Sequence, residues 1–167
     1  MKKTIITLVS IILGGIVLDQ VTKMLVLKLM YLGQSIELIP GVLNLTYIQN
    51  EGAAFGMLSD HRWVFMVIST IAIIGIGIYL FGFCRERMTL KVGLALIISG
   101  GIGNMIDRTF YGFVVDMIDF RMLDFWKWIF NVADSLVCIG AGVVILALVL
   151  DIVKESREKK QKNENKQ

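Results

Sequence analysis

Four long stretches of this 167-residue chain, residues 4–18, 63–84, 92–106 and 135–150, contain no Asp, Glu, Lys or Arg. With a flanking turn added, each approaches the roughly 20 residues needed to cross a bilayer core. None shows the strict alternation of a transmembrane β-strand, so backbone groups in lipid leave the helix as the remaining solution. An apolar content of 56% and a mean hydropathy of +0.72 are far too high for a soluble domain of this length. The expected fold is an all-α membrane protein of four transmembrane helices with a small extracytoplasmic β-sheet element.

The charges between the runs set a topology. Lys2, Lys3, Arg85, Arg87, Lys91 and the tail residues Lys154, Arg157, Lys159, Lys160, Lys162 and Lys166 fall on one side if the runs alternate. The positive-inside rule assigns that side, with both termini, to the cytoplasm. Residues 28–62 and 108–134 become the external loops. Met1-Lys2-Lys3 followed by an apolar run imitates a secretory signal, but the run continues into Asp19-Gln20-Val21-Thr22-Lys23 with no Ala-x-Ala site, so it reads as a retained first helix. Residues 1–153 are expected to form one membrane domain, and residues 154–167 a polar cytoplasmic tail, frayed and attracted to anionic headgroups.

Within the first external loop, Leu43, Leu45 and Tyr47 recur at period two after Pro40 and Gly41, the signature of a strand. The segment 52–58 that follows reads as a turn, a short interfacial helix or a flap over the site.

Ionisable residues at membrane depth are costly and usually face a bundle interior or wet cavity. Here they gather at one depth: Asp19 and Lys23 at the outer end of the first run, Asp107 and Arg108 at that of the third, Asp134 at the start of the fourth, with Asp116 and Asp119 in the second loop. Asn50, Asn104 and Asn131 keep them company, and an amide supplies both donors and acceptors for orienting carboxyls or a peptide carbonyl. His61 is the single histidine. It gives little basis for a Ser-His-Asp triad and no second ligand for a zinc site, so no metal is expected. Cys84 and Cys138 suggest neither a disulfide framework nor a cluster. A Ser-Lys dyad stays open as a secondary arrangement, with Lys23 and either Ser99 or Ser135. Carboxyl groups are what the cluster has in surplus. Two close carboxyls cannot both ionise cheaply, so one serves as acid and the other as base, the requirement of an aspartic peptidase. Asp116 on a loop and Asp134 at a helix start are placed to meet in this way.

The strings Asp19-Gln20-Val21-Thr22-Lys23, Asn50-Glu51-Gly52-Ala53-Ala54-Phe55-Gly56, Gly100-Gly101-Ile102-Gly103-Asn104-Met105-Ile106-Asp107-Arg108, Val114-Val115-Asp116 and Phe130-Asn131-Val132-Ala133-Asp134-Ser135 together resemble bacterial lipoprotein signal peptidase, or signal peptidase II. The resemblance covers nearly the whole chain apart from the tail. It implies an endopeptidase, blocked by the cyclic peptide globomycin, that cuts just before the lipidated cysteine of diacylglyceryl-modified prolipoproteins. It maps the catalytic aspartates onto Asp116 and Asp134, and supporting polar residues onto Asp19, Lys23, Asn50, Asn104, Asp107, Arg108 and Asn131. It also makes the first loop a small sheet that cradles substrate. Met117 departs from the family, in which Phe more often follows the aspartate. Ala133 is expected to leave room for the small side chains that precede the cysteine. No cofactor and no nucleic-acid partner is expected; the partners are prolipoproteins and membrane lipids, and the chain is expected to be a monomer.

Each residue also has a plainer role. Asp134 can cap a helix, Asp19 and Lys23 at i and i+4 suit a helical ion pair, and Asp107 with Arg108 suits a mutual pair. Asp119 could share a helical face with Asp116, and is assigned to loop solvation or local pairing. Gly100, Gly101 and Gly103 suit close helix packing. A small ion or proton transporter and a non-catalytic membrane adaptor are the rival functions, the first weakened by the lack of charges on the cytoplasmic half of any run.

Overall fold

The computed structural model describes residues 2–52, 62–84, 87–121 and 128–164. In chain order the elements are α1 (Lys2–Leu29), β1 (Ser35–Ile39), β2 (Leu43–Asn50), α2 (Arg62–Ile78), α3 (Met88–Phe110), β3 (Val114–Phe120), β4 (Ile129–Phe130) and α4 (Val132–Glu164). The segment 52–58, expected as a turn, a short interfacial helix or a flap, lies apart from Gly52 outside the described residues, as do His61, Arg85 and Trp126.

All four helices carry segments long and apolar enough to cross a membrane. The chain is a multi-pass membrane protein, with the small sheet the sequence led us to expect. Leu13, Val17, Ile68, Ile71, Ile145 and Leu146 point outward, as side chains solvated by lipid do. α2 closes with a π-helical turn, Tyr79–Phe83, in which the Cys84 N–H reaches the Tyr79 carbonyl at 2.7 Å.

The helices outrun the charge-free stretches. α1 continues through Asp19 and Lys23 because both side chains are fully buried against α3 and do not end the helix by seeking water. α4 continues to Glu164, so the tail is helical where fraying was expected. Its residues are mostly strong helix formers, and Lys154 pairs with Glu158 one turn on at 3.7 Å.

α3 is the central helix. It packs most extensively on α4, then on α1 and α2. Glycines permit the close approach: a Cβ at Gly93 would sit 2.9 Å from the Gly140 carbonyl, and one at Gly140 would sit 2.6 Å from the Gly93 carbonyl. Between the helices lies an apolar core of Leu8, Ile12, Leu80, Leu90, Leu94, Ala95, Ile98 and Ala147.

The sheet is antiparallel throughout, in the order β1-β2-β3-β4. Pro40 and Gly41 make the β1–β2 turn, with Gly41 at φ 68° and the Val42 N–H bonded to the Ile39 carbonyl at 3.0 Å, the pattern that admits glycine at the third turn position. A bulge between Leu45 and Ile48 breaks the expected period of two, so the consecutive Thr46 and Tyr47 are both buried. Tyr47 packs with Val26, Met30, Val115 and Met117, which seats the sheet on the end of α1. Met117 is thus a core residue, a role a flexible thioether fills readily.

Candidate active site

Asp116 belongs to β3, opposite Ile48 of β2, and not to a loop. The correction has a local cause, since Val114, Val115 and Ile118 are β-formers and the strand they build pairs antiparallel with β2. The same strand separates Asp116 from Asp119, because residues three apart point to opposite faces. Asp119 is buried and accepts from Thr46 Oγ1 at 2.8 Å and from Arg121 Nη2 at 2.6 Å. Local pairing therefore holds for Asp119, whereas a shared helical face and loop solvation do not.

Asparagines occupy the space around Asp116 and Asp134. Asn131, just ahead of α4, donates from Nδ2 to Asp116 Oδ1 at 2.6 Å and to Asn104 Oδ1 at 3.1 Å. Asn50, at the end of β2, donates to Asp116 Oδ2 at 2.9 Å. Asn104 donates to Asp134 Oδ1 at 2.7 Å. Both Asp116 oxygens and both Asp134 oxygens are thereby engaged, the last by the Asn131 N–H at 3.2 Å. Asp116 is buried, whereas Asp134 is half-buried. Burial pushes the Asp116 carboxyl up to about 7; the negative charge of Asp134 acts in the same direction, while the amides of Asn50 and Asn131 and the charge of Lys23 oppose it.

Behind this layer lies a fully buried group of Asp19, Lys23 and Asp107. Lys23 Nζ meets Asp19 Oδ2 at 3.0 Å, Asp107 Oδ2 at 2.9 Å and Asn104 Oδ1 at 2.9 Å, which uses all three of its protons. Asp107 therefore pairs with Lys23 and not with its neighbour Arg108. Arg108 turns the other way, within electrostatic reach of Asp134 and Asp116, its Nη2 at 3.5 Å from the Gly52 carbonyl. The Ser-Lys arrangement fails on geometry: the Ser99 and Ser135 hydroxyls are spent on the Ile12 and Asn131 carbonyls at 2.9 and 3.0 Å. Among the described residues, no group of three or more His, Cys, Asp or Glu side chains is placed to hold a metal ion.

Ala133 lies at the junction of α3 and α4. It has no exposed surface; its N–H donates to Asp19 Oδ1 at 2.8 Å and its carbonyl backs onto Gly100. It presses the start of α4 against α3. Gln20, which carried no expectation, shares the two protons of Nε2 among Asp19 Oδ2 at 3.1 Å, Asp107 Oδ1 at 3.0 Å and the Gly103 carbonyl at 3.1 Å. A polar amide beside Asp19 in an apolar helix was the signal that could have found it.

The structure thus brings every expected site residue to one end of the bundle, where α1, α3 and α4 meet β2 and β3. The family model for "Signal peptidase (SPase) II" matches residues 11–150. The chain is 44% identical over 148 residues to a lipoprotein signal peptidase of Halalkalibacterium halodurans, covering 89% of this chain and 93% of that one. Against the lipoprotein signal peptidase of Clostridioides difficile the identity is 39% over 150 residues, covering 90% and 97%. A solved structure described as a bacterial membrane enzyme, determined by the in meso method at 2.3 Å resolution, superposes with a TM-score of 0.82 at 36% identity, covering 87% of this chain and 89% of that one. With a family match across most of its length and relatives well above the level at which fold and activity class are shared, this chain belongs to the signal peptidase II family.

Proposed function

We propose that this peptidase is an aspartic endopeptidase that removes signal peptides from diacylglyceryl-modified prolipoproteins, cutting just before the lipidated cysteine, with Asp116 and Asp134 as its catalytic pair. The observation that carries the reading is Asn131, which ties the two carboxyls into one network: its side-chain Nδ2 donates to Asp116 Oδ1 at 2.6 Å and its backbone N–H donates to Asp134 Oδ2 at 3.2 Å. Two carboxyls held together at the end of an apolar bundle suit a substrate whose acyl chains stay in the bilayer while its scissile bond lies at the surface.

Asp116, which burial keeps protonated to about 7, donates its proton to the scissile carbonyl oxygen. Asp134, the more accessible of the two, takes a proton from the attacking water. The water oxygen bonds to the carbonyl carbon and gives a tetrahedral intermediate. On collapse the C–N bond breaks, Asp134 passes its proton to the leaving amine, and a hydroxyl proton returns to Asp116. The protonation state belongs to the pair. Arg108 is placed to grip substrate backbone, and Asn50 and Asn104 to orient the carboxyls. The basic residues flanking the spans support an orientation with both termini in the cytoplasm and the site towards the outer leaflet. We take the enzyme to act as a monomer.

The test is cleavage of a diacylglyceryl-modified prolipoprotein by purified wild type, Asp116→Asn and Asp134→Asn in detergent, with folding followed by thermal melting. Wild-type cutting with both folded variants inactive supports the pair, and cutting by either folded variant overturns it. A membrane adaptor would tolerate both changes, and a transporter would cut nothing.

A further inference from the structure

The two proposed catalytic aspartates are anchored in the same way, one residue upstream of each. The N–H of Val115, immediately before Asp116, donates to Asp107 Oδ2 at 3.0 Å. The N–H of Ala133, immediately before Asp134, donates to Asp19 Oδ1 at 2.8 Å. One ammonium holds both acceptors, since Lys23 Nζ lies 3.0 Å from Asp19 and 2.9 Å from Asp107. Its third proton goes to Asn104 Oδ1, so the Asn104 carbonyl faces Lys23 and its NH₂ is left to face Asp134.

We propose that Lys23 is a positioning residue that sets the separation of Asp116 and Asp134, acting through the carboxylates of Asp19 and Asp107 on the backbone that carries each catalytic side chain. The proposal rests on the reading of Asp116 and Asp134 as the catalytic pair. Neither residue is tied to the other by secondary structure: Asp116 lies on β3 and Asp134 in the first turn of α4. The β3–β4 pairing joins them only at Ile118–Phe130 and Asp119–Ile129, on the far side of Asp116. A link at the level of residues 115 and 133 therefore fixes the backbone at both ends of the gap that Asn131 spans. Asp19 also satisfies one of the free N–H groups of the α4 first turn, which favours an acceptor with negative charge.

The arrangement needs a cation with three donors on a flexible stem, and lysine supplies that. Two carboxyls around one ammonium leave an excess of acceptors, which Gln20 meets by donating to Asp19 and Asp107. Gly103 leaves the room: a Cβ there would fall 2.5 Å from Asp19 Oδ2. An uncharged residue at position 23 would let the two carboxylates repel and α1 draw away from α3, carrying the Val115 and Ala133 amides with them.

The experiment compares wild type, Asp116→Asn, Lys23→Met, the isosteric Asp107→Asn, and Arg87→Gln, which breaks the remote 2.9 Å contact of Arg87 with Asp151. Folding, kcat, KM and the pH profile are measured in detergent with the lipidated prolipoprotein. Displacing reacting groups by about 1 Å costs on the order of 100-fold in rate, so folded Lys23→Met should lose roughly that in kcat with KM within about threefold. Asp107→Asn should lose at least about tenfold in the same parameter, and Arg87→Gln should match wild type. A packing role alone would not move the pH profile. The charged groups around Asp116 are Lys23, Arg108, Asp107 and Asp134, and removal of Lys23 should shift the alkaline limb upward. Folded Lys23→Met or Asp107→Asn with kcat within about threefold of wild type overturns the proposal. Should Lys23→Met not fold, Asp107→Asn decides alone. Activity in Asp116→Asn would instead bring down the catalytic pair itself.

Discussion

Asn131 and Asp134 cap each other. Asn131 Oδ1 accepts the Asp134 N–H at 2.8 Å, and Asp134 Oδ2 accepts the Asn131 N–H at 3.2 Å, a reciprocal box that closes the first turn of α4. Helix capping and chemistry are therefore not competing explanations of Asp134. One carboxyl oxygen fixes the helix start, the other points at Asn104, and the helix holds the side chain still.

That division separates stability from turnover. Asp134→Asn keeps an oxygen for the Asn131 N–H, so its melting temperature should stay close to wild type while cleavage falls by about 1,000-fold or more. Asp134→Ala removes the cap as well, and should lose about 1 kcal/mol of stability in addition. Equal stability of the Asn and Ala variants would show that the reciprocal cap contributes nothing.

Asp119 offers the complementary comparison. It is buried like Asp116, yet it faces away from Asp116 and binds Thr46 and Arg121. Asp119→Asn should retain turnover within about threefold, since an amide oxygen can still accept from Thr46 and the half-exposed Arg121 pair is screened by solvent. Loss of cleavage in a folded Asp119→Asn protein would move Asp119 into the reaction.

Spans and site depth could be read from the sequence because lipid excludes charge, so each ionisable residue inside a long apolar setting stands out. Asp19, Lys23, Asp107 and Asp134 were legible for that reason. Partner choice was not. Asp107 and Arg108 are adjacent, yet on a helix adjacent side chains diverge by about 100°, and Asp107 turns inward to Lys23 while Arg108 turns to the aspartate pair. Asp116 was placed on a loop because a strand of seven residues between two helices carries little periodicity, and its place in the sheet depends on β2, some 66 residues earlier. Ala133 was read as leaving room for small substrate side chains because small size says nothing of packing, and only the position of Gly100 shows the close helix contact. Gln20 went unassigned because an amide in an apolar helix marks a buried polar contact without naming its partner, here Asp107 on α3.

Gly100 makes that packing testable. A Cβ at this position would collide with the Ala133 carbonyl and lie 2.8 Å from Val137 Cγ2. The carbonyl belongs to backbone at the start of α4 and cannot swing aside, so Gly100→Ala should cost about 1–3 kcal/mol, seen as a lower melting temperature in detergent. Because the displaced helix carries Asp134, turnover should fall in the protein that remains folded. Gly142, beside which nothing lies within 4 Å, should accept alanine without loss of stability, and similar melting for the two variants would contradict close α3–α4 contact at Gly100.

The raised Asp116 carboxyl couples folding to pH in a definite direction. Its ordinary value is 3.8 and in the folded protein it is pushed up to about 7, chiefly by burial, with Asp134 adding to the effect. Below 3.8 both folded and unfolded chains hold the proton, so this group gives no pH dependence. Between 3.8 and about 7 the unfolded chain has released a proton that the folded chain keeps, so stability from this residue falls as pH rises. Above about 7 both states are ionised and the slope vanishes. Asp116→Asn has no proton to lose there. The melting temperature of wild type relative to Asp116→Asn should therefore fall across this interval and level off above it. Turnover should follow the same proton: with Asp116 as the acid, kcat/KM declines as pH passes about 7. A rise in kcat/KM through that pH would reverse the two roles and make Asp116 the base, while a melting difference independent of pH would show that Asp116 is not held protonated by the fold.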